Sequence, residues 1–160
     1  MINLTAYKEY WERLAQRIPL ITGVIPVTVD EAMAKRITSL QKGSVTLFVL
    51  PPAAESEAKN IDSFKEENEC VVFVMEKYDP QRRETWSVLE TSQTVVEELK
   101  SKMLDDLAAG CPLMRFDVST LNTLPETQFF AGFAGWPVGF KIITCRNGNG
   151  RNQGPILQAA

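Results

Sequence analysis

Two stretches carry reactive side chains at a spacing that chemistry can use. Cys145-Arg-Asn-Gly-Asn-Gly-Arg151 places five residues between a cysteine and an arginine at the end of an apolar run. In a cysteine phosphatase loop that spacing lets backbone N–H groups cradle a phosphate while the arginine pairs with it and lowers the thiol pKa. Such chemistry needs a helix after the arginine, with its N-terminus toward the anion. Asn-Gln-Gly-Pro follows instead, Asn152 stands where a Ser or Thr is usual, and only nine residues remain. A flexible tail is the better reading. Asp105-Asp106 is the second candidate, as a metal or acid/base pair. Adjacent helical residues point about 100° apart, so these carboxylates need a third group to converge. They sit at the negative end of the helix dipole, a misfit that an intersubunit contact with a base would explain; a solvated helix face is the plainer reading.

No histidine occurs among the 160 residues. That removes Ser-His-Asp and Cys-His catalysis and nearly all zinc hydrolase chemistry, leaving carboxylate, Lys, Tyr and lone-Cys mechanisms. Three widely spaced cysteines, Cys70, Cys111 and Cys145, form neither a disulfide framework nor a zinc site. We therefore expect no catalytic residues, cofactor or metal, and a chain that is not an enzyme.

The other residues of interest suit contact better than chemistry. Phe129-Phe130-Ala131-Gly132-Phe133, followed by Trp136, is dense in aromatics, and is either core or, if exposed, an interface. Trp86 falls on a helical stripe and is expected in the core. Arg82-Arg83 is either a solvated turn pair or a partner for an acidic patch on a neighbouring subunit. Residues 53–69 hold six acidic residues against Lys59 and Lys65. This excursion reads as a solubilising hairpin tip or loop, or in a ring as a pore lining that repels DNA phosphates.

These groups must be positioned by the following elements. Leu4, Tyr7, Trp11, Leu14 and Ile18 recur at helical spacing over residues 3–18, and Pro19 ends the pattern. Leu20–Val29, interrupted by Gly23 and Pro26, is an extended crossing with room for a short edge strand, and Asp30–Leu40 is a short helix. Gly43–Leu50 is a strand closed by Pro51-Pro52. Cys70–Tyr78, apolar on both faces at first, is a central strand. The longest helix runs over Thr85–Ala109, with Trp86, Leu89, Gln93, Val96, Lys100, Met103 and Leu107 on one stripe that Ser92, Val95, Leu99 and Asp106 widen, and stops at Gly110 and Pro112. Leu113–Ser119, a short piece near Thr127–Phe130, and Val138–Cys145 after Gly135-Trp136-Pro137 complete the strands. The fold class expected is α+β: a mainly antiparallel sheet of four to five strands with a long central helix and an N-terminal helix packed on one face. Residues 1–145 form a single domain and 146–160 a flexible C-terminal tail.

A net charge of −3 without a basic block speaks against sequence-specific nucleic-acid binding. No apolar run is long enough to span a bilayer, and the N-terminus does not read as a signal peptide, so a cytoplasmic location is expected.

This layout resembles the small phage tail-terminator and tail-completion (neck) proteins of prophage-like elements. The residues that carry the likeness are Cys70–Tyr78 with Asp79-Pro80, the Glu84–Leu107 helix, and Phe133-Ala-Gly-Trp136-Pro-Val-Gly-Phe140-Lys-Ile142. The resemblance covers about residues 4–145 and is one of layout more than motif. It implies a structural protomer that forms a homo-oligomeric ring, often hexameric, which caps the tail tube and meets other tail or connector proteins, in the cytoplasm or in the assembled virion. It brings no catalytic residues. The alternative is a small intracellular, non-catalytic domain of a mobile element that binds a peptide or ligand in a groove beside the long helix.

Overall fold

The computed structural model describes residues 1–28, 31–57, 64–127, 132–146 and 152–153. The first helix, α1 (Leu4–Gln16), begins where the Asn3 side chain accepts the Ala6 N–H at 3.0 Å, relieving one of the donors that a helix start leaves free. Its apolar positions bury Tyr7, Tyr10, Trp11 and Leu14, while Leu4 stays exposed. Strand β1 (Ile21–Pro26) follows, then α2 (Glu31–Ser39) and β2 (Val45–Val49). β1 and β2 pair in parallel. Parallel neighbours need a crossover connection, and α2 supplies it.

After β2 the chain passes Leu50-Pro51-Pro52 and resumes as β3 (Ala53–Glu57). β2 pairs with residues 72–76 of β4 (Lys65–Lys77) and β3 with residues 65–69, both antiparallel. They are two pieces of one line, broken where two prolines offer no N–H. The acidic excursion is therefore half of a β ribbon, and β4 begins earlier than its apolar residues indicate. The long helix α3 (Thr85–Ala108), a 3-10 turn at Pro112–Met114, and β5 (Phe116–Thr123) lead to β6 (Phe133–Arg146). β6 pairs with β4 along all of β4. A short β7 (Asn152–Gln153) pairs with the end of β6, so residue 146 and part of the expected tail belong to the sheet.

The architecture is α+β, with sheet order β1-β2-β4-β6-β5 and β3 and β7 pairing on β4 and β6. Seven strands form where four to five were expected, because β3 and β7 are short and carry little apolar pattern; β1 is the short edge strand for which Leu20–Val29 left room. All neighbours except β1 and β2 are antiparallel. The sheet has helices on both faces rather than one. α1 and α3 cover Val45, Leu47, Val72, Val74, Val138 and Phe140 in the larger core. α2 lies on the opposite face, where Met33 packs with Ile25, Phe48, Met75 and Phe133. Lys77 fastens α2 there: its Nζ donates to the carbonyls of Ile37, Thr38 and Leu40 at 3.1, 3.1 and 2.8 Å, satisfying the negative helix end.

Both ends of the strand order are blunted against further pairing. In β1, Pro26 has no N–H, and Arg36 Nη2 donates to the Val24 carbonyl at 2.9 Å. In β5, the register breaks between Asp117 and Asn122. There the Asp117 side chain accepts from Ser119 N, and Thr120 Oγ1 donates to the Asp117 carbonyl.

Candidate interaction surface

Three polar groupings lie inside or at the edge of the core, and each ties elements together. At the end of α3, Asp106 accepts from the Tyr10 hydroxyl at 2.8 Å and from Arg17 Nη1 at 2.8 Å on both oxygens. Burial and the neighbouring carboxylate push the Tyr10 hydroxyl pKa well up. Asp106 is therefore not on the solvated helix face that was the plainer expectation, and its base is Arg17 of its own chain rather than one from another subunit. Asp105 is exposed, as a solvated helix face requires.

At the start of α3, Glu76 on β4 is almost wholly buried and its Oε1 pairs with Arg83 Nη1. Arg83 is anchored in turn by the Ser87 carbonyl at 3.2 Å and Thr91 Oγ1 at 2.6 Å. Arg83 therefore serves an internal pair rather than a neighbouring subunit. Burial raises the Glu76 pKa above its ordinary value, against the opposing pull of Arg83. Sequence reading missed this pair, although alternation along β4 places residue 76 on the same side as Val72 and Val74.

Beneath α1, Asn68 is buried and its amide donates to the Ile142 carbonyl at 3.1 Å and Thr144 Oγ1 at 3.2 Å. Burial pushes the neighbouring Cys70 thiol up to about 12, so it is a protonated core residue and not a nucleophile.

The aromatic residues divide. Phe133 is 1% exposed and meets Phe48 edge-on at 5.7 Å, so it belongs to the core. Trp136 is half-buried, and its indole donates to the Leu89 carbonyl at 3.0 Å, joining β6 to α3. Phe129 and Phe130 lie outside the described residues, as do the short piece expected near them and residues 147–151 of the Cys145–Arg151 stretch. Trp86, expected in the core, is 71% exposed, and its indole N–H reaches only Glu90 Oε1 at 2.9 Å. The buried stripe of α3 is Val88, Ser92, Val95, Val96, Leu99 and Met103. The buried stripe is thus centred on positions expected to flank it, and Trp86 faces outward while Val88 in the same turn is buried. Arg82, one turn residue away, has 86% of its side chain exposed.

The face of the sheet that carries α2 is only half covered by described residues. Beyond α2, β3, β4, β6 and β5 present Glu55, Glu57, Glu67, Glu69 and Asp117 with Lys65 and Lys141, as the pairing register dictates. Lys141 Nζ lies 2.5 Å from Glu67 and 3.3 Å from Glu69, which raise its pKa. A recess of ≈ 180 Å³ opens here, lined by Glu55, Glu57, Lys65, Glu67 and Ile143. A second groove of ≈ 310 Å³ lies between Glu12, Ala15 and Gln16 of α1 and residues 21–24 of β1. It runs beside the N-terminal helix rather than the long one.

Among the described residues no cluster of His, Cys, Asp and Glu has metal-binding geometry, and no helix is long and apolar enough to cross a membrane. Comparison with protein-family models, with curated proteins and with solved structures returned no match.

Proposed function

We propose that this chain is a non-catalytic assembly protein that forms a homo-oligomeric ring at the junction of a phage tail tube and head connector, as the resembling tail terminators do. Trp86 is the observation that supports this reading most strongly. Turning one large apolar side chain into water forgoes about 2 kcal/mol of burial. Neither a cavity nor a hydrogen-bonding need accounts for it, since the indole N–H is met by Glu90 on the same helix. Exposed Trp and exposed Arg are the residue types that most often carry the binding energy of protein contacts. In this reading Trp86 and Arg82 form the flank that meets the next protomer or a neighbouring tail protein, and the protein is cytoplasmic until it joins the particle.

Light scattering of the chain and of Trp86→Ser tests the proposal. The variant should keep its circular dichroism and lie within about 0.5 kcal/mol of the parent in stability, as an exposed position implies. It should also lose mass relative to the parent. Equal masses at equal concentrations would sink the reading.

A further inference from the structure

Charge is divided across the sheet face that carries α2. On the covered half α2 carries Lys35 and Arg36 against Glu31, and the turn after it adds Lys42, which pairs with Asp79. The open half holds five carboxylates to two lysines, all brought onto one side by the β3–β4–β6–β5 register. The two halves also differ in height, because α2 stands one helix layer above strands that no described element covers.

We propose that this face pairs with the same face of a second copy across a twofold axis, each α2 lying on the other's open acidic half. Both patches look in the same direction, so two chains must face one another to join them. A twofold arrangement then satisfies both contacts at once. The dimensions agree. Seven residues of β4 and four strands give this open half an extent of roughly 23 by 19 Å. The nine-residue α2 is about 14 Å long and 10 Å wide. Half-buried Val71 and Ile143 lie on the same face and supply apolar contact beneath the charges. This goes beyond the ring, whose contact runs through Trp86 on the other side of the sheet. It assigns the acidic ribbon to a protein contact rather than to the solubilising loop or the pore lining that the sequence offered.

The test is made in the Trp86→Ser background, so that the ring contact and this one are read apart. Two variants are compared by sedimentation velocity at low ionic strength: Lys35→Glu with Lys42→Glu, and Glu55→Lys with Glu57→Lys. All four positions are exposed, and circular dichroism verifies that each variant is folded. The parent should form a two-chain species that dissociates as salt rises. Each variant alone should self-associate on the order of tenfold more weakly. An equal mixture should restore the two-chain species, because reversed α2 then meets a reversed open half in both contacts. A monomeric parent, a variant that dimerises unaided, or a folded mixture that fails to pair would each overturn the proposal. A ring that fails while this rescue succeeds separates the two readings.

Discussion

Replacing Gly135 by alanine should cost far more than any other glycine substitution in the sheet. A methyl group there would press into the Val74 carbonyl oxygen and come within 2.9 Å of Met75 Cα and 3.0 Å of Val74 C. All of these are backbone atoms of the central strand, which cannot swing aside. Nor can β6 retreat freely. On its other side Gly135 exchanges two hydrogen bonds with Glu126, at 2.8 and 2.9 Å. Relief therefore breaks those bonds or prises β6 from β4. Overpacking of this kind costs about 2 kcal/mol, and two lost backbone bonds add about 1 kcal/mol each. The sum, about 4 kcal/mol, is a large share of the roughly 5–15 kcal/mol that holds a domain together. At about 3 °C per kcal/mol for a chain of this size, the melting temperature should fall by about 12 °C. Gly23 is the control, with nothing within 4 Å of an added methyl group. Gly23→Ala should shift the melting temperature by no more than about 3 °C. Thermal melts followed by circular dichroism compare the two. Equal shifts would refute the claim that the β4–β6 approach excludes a side chain.

Asp106→Ala should destabilise the chain by about 2 kcal/mol in urea titration, because it leaves the half-buried Tyr10 hydroxyl without its acceptor; a loss below about 0.5 kcal/mol would show that the link between α1 and α3 is idle. Glu76→Gln bears on pH. The folded-state pKa of Glu76 is raised above the ordinary 4.5, so its contribution to stability is fully present below that value and is lost as pH rises through the folded pKa. Gln cannot titrate, so the melting temperature of the variant minus that of the parent should become more positive between pH 4 and pH 7. A flat difference would mean that Arg83 fully offsets burial.

The elements with a strong apolar period were legible in the sequence. α1 and α3 match their expected spans to within a few residues, and the apolar part of β4 falls where Cys70–Tyr78 was read. Those stabilised chiefly by neighbours were not: β3 reads Ala-Ala-Glu-Ser-Glu and becomes a strand because residues 65–69 of β4 offer it a ladder. In α3 the positions Ser92, Val95 and Leu99 were read as widening the stripe, and the structure makes them its centre. Ser92 is buried where the helix lies close to the sheet, and its hydroxyl is satisfied by the Val88 carbonyl at 2.8 Å, so a polar letter marks the buried side. Reading the stripe through Trp86 and Gln93 put the largest side chain of the first turn on the wrong side. The acidic composition of residues 53–69 was plain, but its placement on one open sheet face depends on register, which composition does not encode.

The mass of the unmodified chain in solution, followed by light scattering over a wide concentration range, tests the central claim most directly. A protein that works by presenting surface to its own copies should show masses that are multiples of 17.9 kDa and that fall in Trp86→Ser. A single 17.9 kDa species at every concentration, identical in parent and variant, would contradict it.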